Sequence, residues 1–296
     1  MKKNNLKQKL SLTDNSIFKA VFGSNVDILI DLLNSFPSFQ GEKKIIDLSI
    51  LNPEIPKSRV SEKLSILDIK AEDKSGNQFI IEMQTLSHKF FDKRILYYWS
   101  KVYIGNLKRG FKYEKLKKVY SFNFLDFNLL NESKEFLSSF KILESRYNFP
   151  LTDELEINII ELGKFYKEIN ELKSNLDLWL FALKESENPD GKEMKTLVKK
   201  NPKIKKAIIH FKEMSAADLK REEIEIRKKT KMDIQAAMET NYEKGIEKGI
   251  IEGLEKTALK LLTKGMNLKF ISETTELPIA RIKELQKSLS KKRKKQ

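Results

Sequence analysis

Through residues 13 to 36, TDNSIFKAVFGSNVDILIDLLNSF, apolar side chains recur at 17, 18, 21 and 22 and again at 26, 28, 29, 30, 32 and 33. This is mostly helical spacing, broken around Gly23, and it predicts two short helices. EKKIIDLSIL, 42 to 51, reads as a strand, and the following NPEIPKSRVSEK carries two prolines that exclude regular structure. SILDIKAEDKSGNQFIIEMQ, 65 to 84, reads as two strands around a glycine-bearing turn. FFDKRILYYWSKVYIGNLKRG places apolar residues at 91, 95, 98 and 102 before Gly110, the mark of an amphipathic helix with a glycine stop. Further strands are expected at KKVYSFNFLDFNLL, 117 to 130, and within KEFLSSFKILES and ELEINIIELGKF. Helix, strands, helix, strands over the first 165 residues predict an α/β fold, a mixed sheet flanked by helices.

Beyond 165 the pattern becomes helical and rich in lysine and glutamate, with a break at NPDG. Four organisational segments follow: a core at 10–165, a helical extension at 166–254, a small helical segment at 255–290 and a basic tail at 291–296. In the extension, EKGIEKGIIEG places Gly245, Gly249 and Gly253 four apart on one helix face, each costing about 1 kcal/mol relative to alanine. The stripe fits close approach of another helix, a route to homo-oligomers, and equally fits a low-complexity linker. The small segment reads as helix, Gly265 break, short helix, turn, and a last helix opened by Pro278. It is compatible with a DNA-reading helix-turn-helix and with any small bundle.

Composition narrows the chemistry. The 296 residues contain no cysteine and two histidines far apart, His88 and His210, so thiolate nucleophiles and Cys- or His-built metal sites are not expected. No run of about 18 uninterrupted apolar residues and no signal-like start are present, so a soluble cytoplasmic, nucleoid-associated protein with no membrane partner is expected. Net charge is +15, from 57 basic and 42 acidic residues, and a polyanion such as nucleic acid is the partner this implies. Only eight of the basic residues are arginines, and lysine-rich composition of this kind also arises from an AT-rich genome.

The chemistry concentrates in the hairpin. Alternation puts Asp68 and Lys70 on one strand face, and Glu82 and Gln84 on one face of the next. Centring the turn on Ser75 pairs residues whose numbers sum to 150, which sets Asp68 opposite Glu82. Facing carboxylates repel, so a cation between them is the reading that explains both; Mg²⁺ or Mn²⁺ suits oxygen donors. A register slipped by two would leave the acids as solvated edge charges instead.

Asp68 followed by Glu82-Met83-Gln84 resembles the PD-(D/E)xK nuclease signature, an acid on one strand and E-x-K on its antiparallel neighbour. TDNSIFKAVFG, LNPE, LDIKAEDKSGNQFIIEMQ, KRILYYWSKVYIGNLKRGFKYEKL and VYSFNFLDFNL, in that order over about residues 10 to 170, resemble more closely the recombination-promoting nucleases of the Rpn family, also described as transposases. The resemblance implies a restriction-endonuclease-like core and a metal-dependent DNA endonuclease in which Asp68 and Glu82 hold the metal and Gln84 stands where the wider signature has lysine. Gln84 can orient a water but adds no charge, so Lys70 or Arg94 would supply it. The resemblance also makes Asp14 a further candidate ligand, against its reading as a helix N-cap. Arg94, Tyr98 and Lys101, with Lys108 beyond, recur at helical spacing where they could meet DNA phosphates. His88 is a candidate base. The rival reading is an inactive DNA-binding or assembly protein on a nuclease scaffold.

Overall fold

The computed structural model describes residues 10–55, 65–87, 89–107, 110–214 and 249–293. His88, Lys108 and Gly245 lie outside them. The chain divides into two compact units, Met1–Lys231 and Met232–Gln296.

The first unit is built on a six-stranded mixed sheet flanked by helices. Its strands are β1 (Ser49–Leu51), β4 (Ile69–Glu72), β5 (Gln78–Gln84), β6 (Val119–Leu125), β7 (Leu137–Phe140) and β8 (Leu155–Glu161), in the spatial order β1-β4-β5-β6-β8-β7. The pairs β5/β6 and β6/β8 are parallel; the other three are antiparallel. Every residue of β5 and β8 is buried, as expected of central strands covered on both faces.

Alternation along these strands feeds two cores. Phe79, Ile81, Met83, Phe122, Phe124 and Ile160 face one layer of helices: α1 (Asn15–Ser24), α2 (Val26–Asn34), α4 (Asn175–Glu185), α5 (Lys192–Lys200) and α6 (Pro202–Glu213). Ile80, Val119, Leu125, Ile157 and Ile159 face the other side, where α3 (Phe91–Gly105) lays down Phe91, Ile95, Trp99 and Val102. The expected boundary at 165 therefore falls inside one core, because Trp179, Leu180, Leu197, Ile204 and Ala207 are buried with Phe18, Phe22 and Leu29. Asp31 ties these helices together: its Oδ2 accepts from Trp179 Nε1 at 2.8 Å and Asn201 Nδ2 at 2.8 Å.

Three strand expectations change. The strand expected at 42–51 is confined to β1, with a short 3-10 turn at Gly41–Lys43 before it. The proline-rich loop contributes β2 (Glu54–Ile55), which pairs with β3 (Ser65–Ile66) in a separate two-stranded sheet. The first hairpin strand is thus split at Leu67–Asp68. Leu67 packs in the core beside α3, whereas Ile69 and Ala71 pack in the opposite one, so the backbone changes face at this break.

On the surface, Asp27 in the first turn of α2 meets Lys203 and Lys206 at 2.8 Å each, and these ammonium groups hold its carboxyl down at about 2. A depressed carboxyl stabilises the fold above its ordinary range and loses that contribution as pH falls through about 2. All three side chains are well exposed, so Asp27→Asn is expected to cost less than about 1 kcal/mol near neutrality. The difference from wild type should close on acidification, as read by urea unfolding at a series of pH values.

In the second unit, a helix α7 covering 249–263 precedes α8 (Leu268–Thr275) and α9 (Ile279–Arg293). Ala258, Ile271, Leu277, Ile282 and Leu285 form their core. Gly265 adopts φ +77, and Glu276, Leu277 and Pro278 make the three-residue turn between α8 and α9. A Cβ built on Gly249 or Gly253 would meet nothing within 4 Å. Among the described residues, no helix is long and apolar enough to cross a membrane.

Candidate active site

The turn that joins β4 to β5 sets the register on which the site depends. Asp73 Oδ1 accepts from the backbone N–H groups of Ser75 and Asn77, and Gly76 takes φ +84, a conformation open to glycine but strained for other residues. The ladder that follows pairs Ile69 with Ile81, Lys70 with Ile80 and Ala71 with Phe79, each pair summing to 150. Asp68 sits one residue before β4, in the bend where the chain changes face, and Glu82 lies one step beyond the last residue of β5 that pairs with β4.

One hydrogen bond joins the two acids directly, and three more fix their surroundings. The N–H of Asp68 donates to Glu82 Oε1 at 3.0 Å, and the N–H of Met83 donates to Asp68 Oδ2 at 2.9 Å. Asn15, the first residue of α1, donates from Nδ2 to the same Oδ2 at 2.6 Å and to the carbonyl of Met83 at 2.7 Å. Helix α1 is thereby pinned to the end of β5, and the orientation of the Asp68 carboxylate is set by β5 and α1 together. Asp68 and Glu82 are 6% and 5% exposed, so their approach takes place largely out of water. Asn15 escaped the sequence reading because an asparagine at a helix start reads as a cap; nothing in the sequence links it to Asp68.

The flanking groups come from both sides. Gln84 is buried on the face of Glu82, two residues on, and its backbone carbonyl accepts from the N–H of Asp126 at 2.9 Å. Asn123 of β6 pairs with Glu82 across the parallel ladder and is 2% exposed, with Nδ2 donating to Ser121 Oγ and to the carbonyl of Asn158. Its signal in the sequence is an asparagine inside the aromatic strand VYSFNFL. From α3, Tyr98 stands close enough for its phenol to feel the pair. Burial pushes that phenol up, the Arg94 guanidinium opposes the rise, and the Glu82 and Asp68 carboxylates add to it. Arg94 lies over the Phe91 ring at 4.7 Å and Tyr98 at 5.9 Å. Lys101 is buried, with its ammonium 5.4 Å from the Tyr97 ring.

Asp68 also borders a cleft of about 330 Å³ between α1 and the β1/β4 edge, lined among others by Ser16, Lys19, Gly23, Leu51 and Lys70. Burial pushes the Lys70 ammonium down, with Glu72 opposing. Lys19 and Lys70 line this cleft together with Asp68, and Lys19 is a feature the sequence reading missed.

Asp14 belongs elsewhere. It occupies the N-cap position of α1 without a side-chain cap bond, and its Oδ2 accepts from the N–H of Ser11 at 2.7 Å. Burial raises its carboxyl, and the Glu187 and Asp126 carboxylates raise it further. Among the described residues no group of three or more acidic, histidine or cysteine side chains is close enough to hold a metal, so Asp14 does not join Asp68 and Glu82 in one.

A family model described as PD-(D/E)XK nuclease family transposase matches residues 12–241, in agreement with the resemblance carried by the five sequence blocks. No curated protein and no solved structure matches the chain.

Proposed function

The chain belongs to the PD-(D/E)XK nuclease family transposases, and from that premise we propose that it is a divalent-metal-dependent endonuclease that hydrolyses phosphodiester bonds in DNA. The observation that supports this reading best is the acid pair itself. Asp68 and Glu82 are two buried carboxylates joined by the Asp68 backbone N–H, and Asp68 lines a cleft that Lys19 and Lys70 also line.

The donor chemistry fits a hard cation. Carboxylate and amide oxygens from Asp68, Glu82 and Gln84 suit Mg²⁺ or Mn²⁺, and Mg²⁺ sites commonly use one or two carboxylates and leave the remaining positions to water and phosphate. Asp68 and Glu82 would hold the ion, which when bound supplies positive charge to a phosphate oxygen and acidifies a water.

The residues of the chain do the rest. Asn15 and the Met83 N–H keep the Asp68 carboxylate in one orientation, so no reorganisation is needed when the phosphate arrives. Gln84 orients the attacking water through its amide; being neutral, it leaves charge compensation to other groups. Lys70 and Lys19 on the cleft side, and Arg94 on the α3 side, would receive phosphate oxygens; Lys101, further along α3, is buried and does not join them. The net +15 and the turn-linked helices α8 and α9 add a non-specific hold on the duplex.

Purified protein should nick and then linearise supercoiled plasmid with Mg²⁺ or Mn²⁺, and should bind without cutting in Ca²⁺ or EDTA. Binding with no cutting under any divalent ion would replace this reading with that of an inactive DNA-binding scaffold.

A further inference from the structure

β7 is the last strand of the sheet and pairs only with β8 among the described residues. It runs into a hairpin in which the N–H of Leu151 donates to the carbonyl of Ile142, Leu143 bridges Pro150, and the N–H of Glu144 donates to the carbonyl of Phe149. Asn148, at φ +59, closes the turn, and Glu144 Oε2 accepts from the N–H groups of Arg146 and Tyr147. This flap is well fixed by its own bonds, yet its apolar side chains face solvent. Phe140 is 44% exposed, Ile142 38%, Leu143 47%, Tyr147 70%, Phe149 57% and Leu151 76%. The hairpin pairing places Ile142, Leu151 and Phe149 on one face, and strand alternation adds Phe140 to it.

The area is that of a functional patch. Taking about 200 Å² for a large side chain, Phe140, Ile142, Phe149 and Leu151 on this face expose about 430 Å² of largely apolar surface. That lies within the roughly 300–600 Å² of the largest, often functional, patch of an ordinary monomer, and the open edge of β7 lies beside it.

We infer that the flap and the open edge of β7 dock a second copy of this chain, related by a two-fold axis, with β7 pairing antiparallel to its equivalent. A two-fold contact must be complementary to itself, and this edge is. When Ser138 of each copy lies on the axis, residues summing to 276 face each other, which sets the exposed Glu135 of one copy against the exposed Lys141 of the other. The flaps then extend across to bury the Phe149 and Leu151 side chains. This surface is distinct from the glycine-striped C-terminal helix.

The consequence for DNA rests on the nuclease reading. Glu82 lies on β5 at the level of Ile159 of β8, whereas the flap leaves β7 beyond Ile157, towards the opposite end of the strands and three strands away. A dimer through the flap therefore turns its two clefts away from each other, which suits it to hold two duplexes instead of closing on one.

Sedimentation equilibrium of the full chain without DNA tests the surface by itself. The wild type should be dimeric at micromolar concentration, and Phe149→Lys combined with Leu151→Lys should raise the dissociation constant at least about 100-fold. Glu135→Lys alone should weaken the dimer about tenfold, and adding Lys141→Glu should restore it, a rescue that general misfolding would not give. In Ca²⁺, wild type should recover a labelled duplex on an immobilised one, whereas the flap variant should bind a single duplex but recover none. A wild type that stays monomeric up to about 0.1 mM, or a dimer untouched by these substitutions, overturns the inference. A dimer that behaves as described but binds no DNA keeps the interface and removes the nuclease reading.

Discussion

Asp68→Asn and Glu82→Gln are expected each to lower plasmid cleavage in Mg²⁺ by at least about 10³-fold, equivalent to about 4 kcal/mol of lost transition-state stabilisation. The size follows from what each acid would do: with one anionic ligand gone, the cation is held weakly and the charge developing on phosphorus loses its principal counterweight. The amide variants are the informative ones. Asp68 Oδ2 accepts from the Met83 N–H and from Asn15, and Glu82 Oε1 accepts from the Asp68 N–H, so alanine at either position also strands buried donors at a cost of about 1–3 kcal/mol each. Asparagine and glutamine keep an acceptor oxygen, and their thermal unfolding should stay close to wild type while cleavage disappears. Duplex binding in Ca²⁺-free buffer should hold or tighten, because a negative charge has left a site that meets phosphate. Mn²⁺ titration by calorimetry should show the loss of affinity directly. Cleavage that survives in both variants would place the chemistry elsewhere in the chain.

What could be read from the sequence, and what could not, divides along the range of the interactions. The β4–β5 register was legible because a local turn sets it: Asp73 and Gly76 fix the hairpin, and the sum of 150 carries through to Asp68 and Glu82. The two helices around Gly23 and the strand order of chemistry, acid then Glu-x-Gln, were equally local. The change of face at Leu67 was not, since alternation assumes an unbroken strand and Leu67 and Ile69 serve opposite cores. Nor was the role of α4–α6. Their outer faces are rich in lysine and glutamate, which reads as a separate extension, while a stripe such as Met194, Leu197, Ile204 and Ile208 closes the core over α1 and α2. Asn15 and Lys19 reach the site only because α1 crosses the end of β5, a contact spanning more than fifty residues of chain.

The same limit explains why three buried glutamates look alike in the sequence. Glu82, Glu156 and Glu161 each interrupt an apolar strand, and only their partners tell them apart. Glu156 accepts from Ser38 Oγ and pairs with Lys118 at 3.1 Å, which together with Asn158 hold its carboxyl below the usual range against the effect of burial. Glu161 ends β8 and fastens a loop. Glu82 accepts from the backbone N–H of Asp68, a residue that lines a cleft. An acid in a strand is thus a sign of either a strut or a site, and the direction of the surrounding donors decides which.

Glu161→Ala is expected to lower stability by about 3–5 kcal/mol, the range for removing one partner of a buried ion pair. Glu161 is fully buried, with Oε1 accepting from the N–H groups of Leu129 and Leu130 at 2.6 and 3.0 Å and Oε2 from Lys164 Nζ at 2.6 Å. Lys164 Nζ in turn donates to the carbonyls of Leu130 and Ser133, so one ion pair satisfies both backbone donors and backbone acceptors of the loop that follows β6. Truncation leaves two amide protons without their acceptor and an ammonium group without its counter-charge. For a unit of this size the loss corresponds to a fall in Tm of about 10 °C, measurable by calorimetry. Lys164→Met added to Glu161→Ala should recover part of it, because the second substitution removes the stranded charge; a double variant no better than the single would show that the amide bonds alone carry the cost. Cleavage should suffer below the new Tm as well, since Asp126, in the segment that leaves β6, donates its N–H to the carbonyl of Gln84. Loosening the strut therefore loosens the end of β5 on which Glu82 and Gln84 are held.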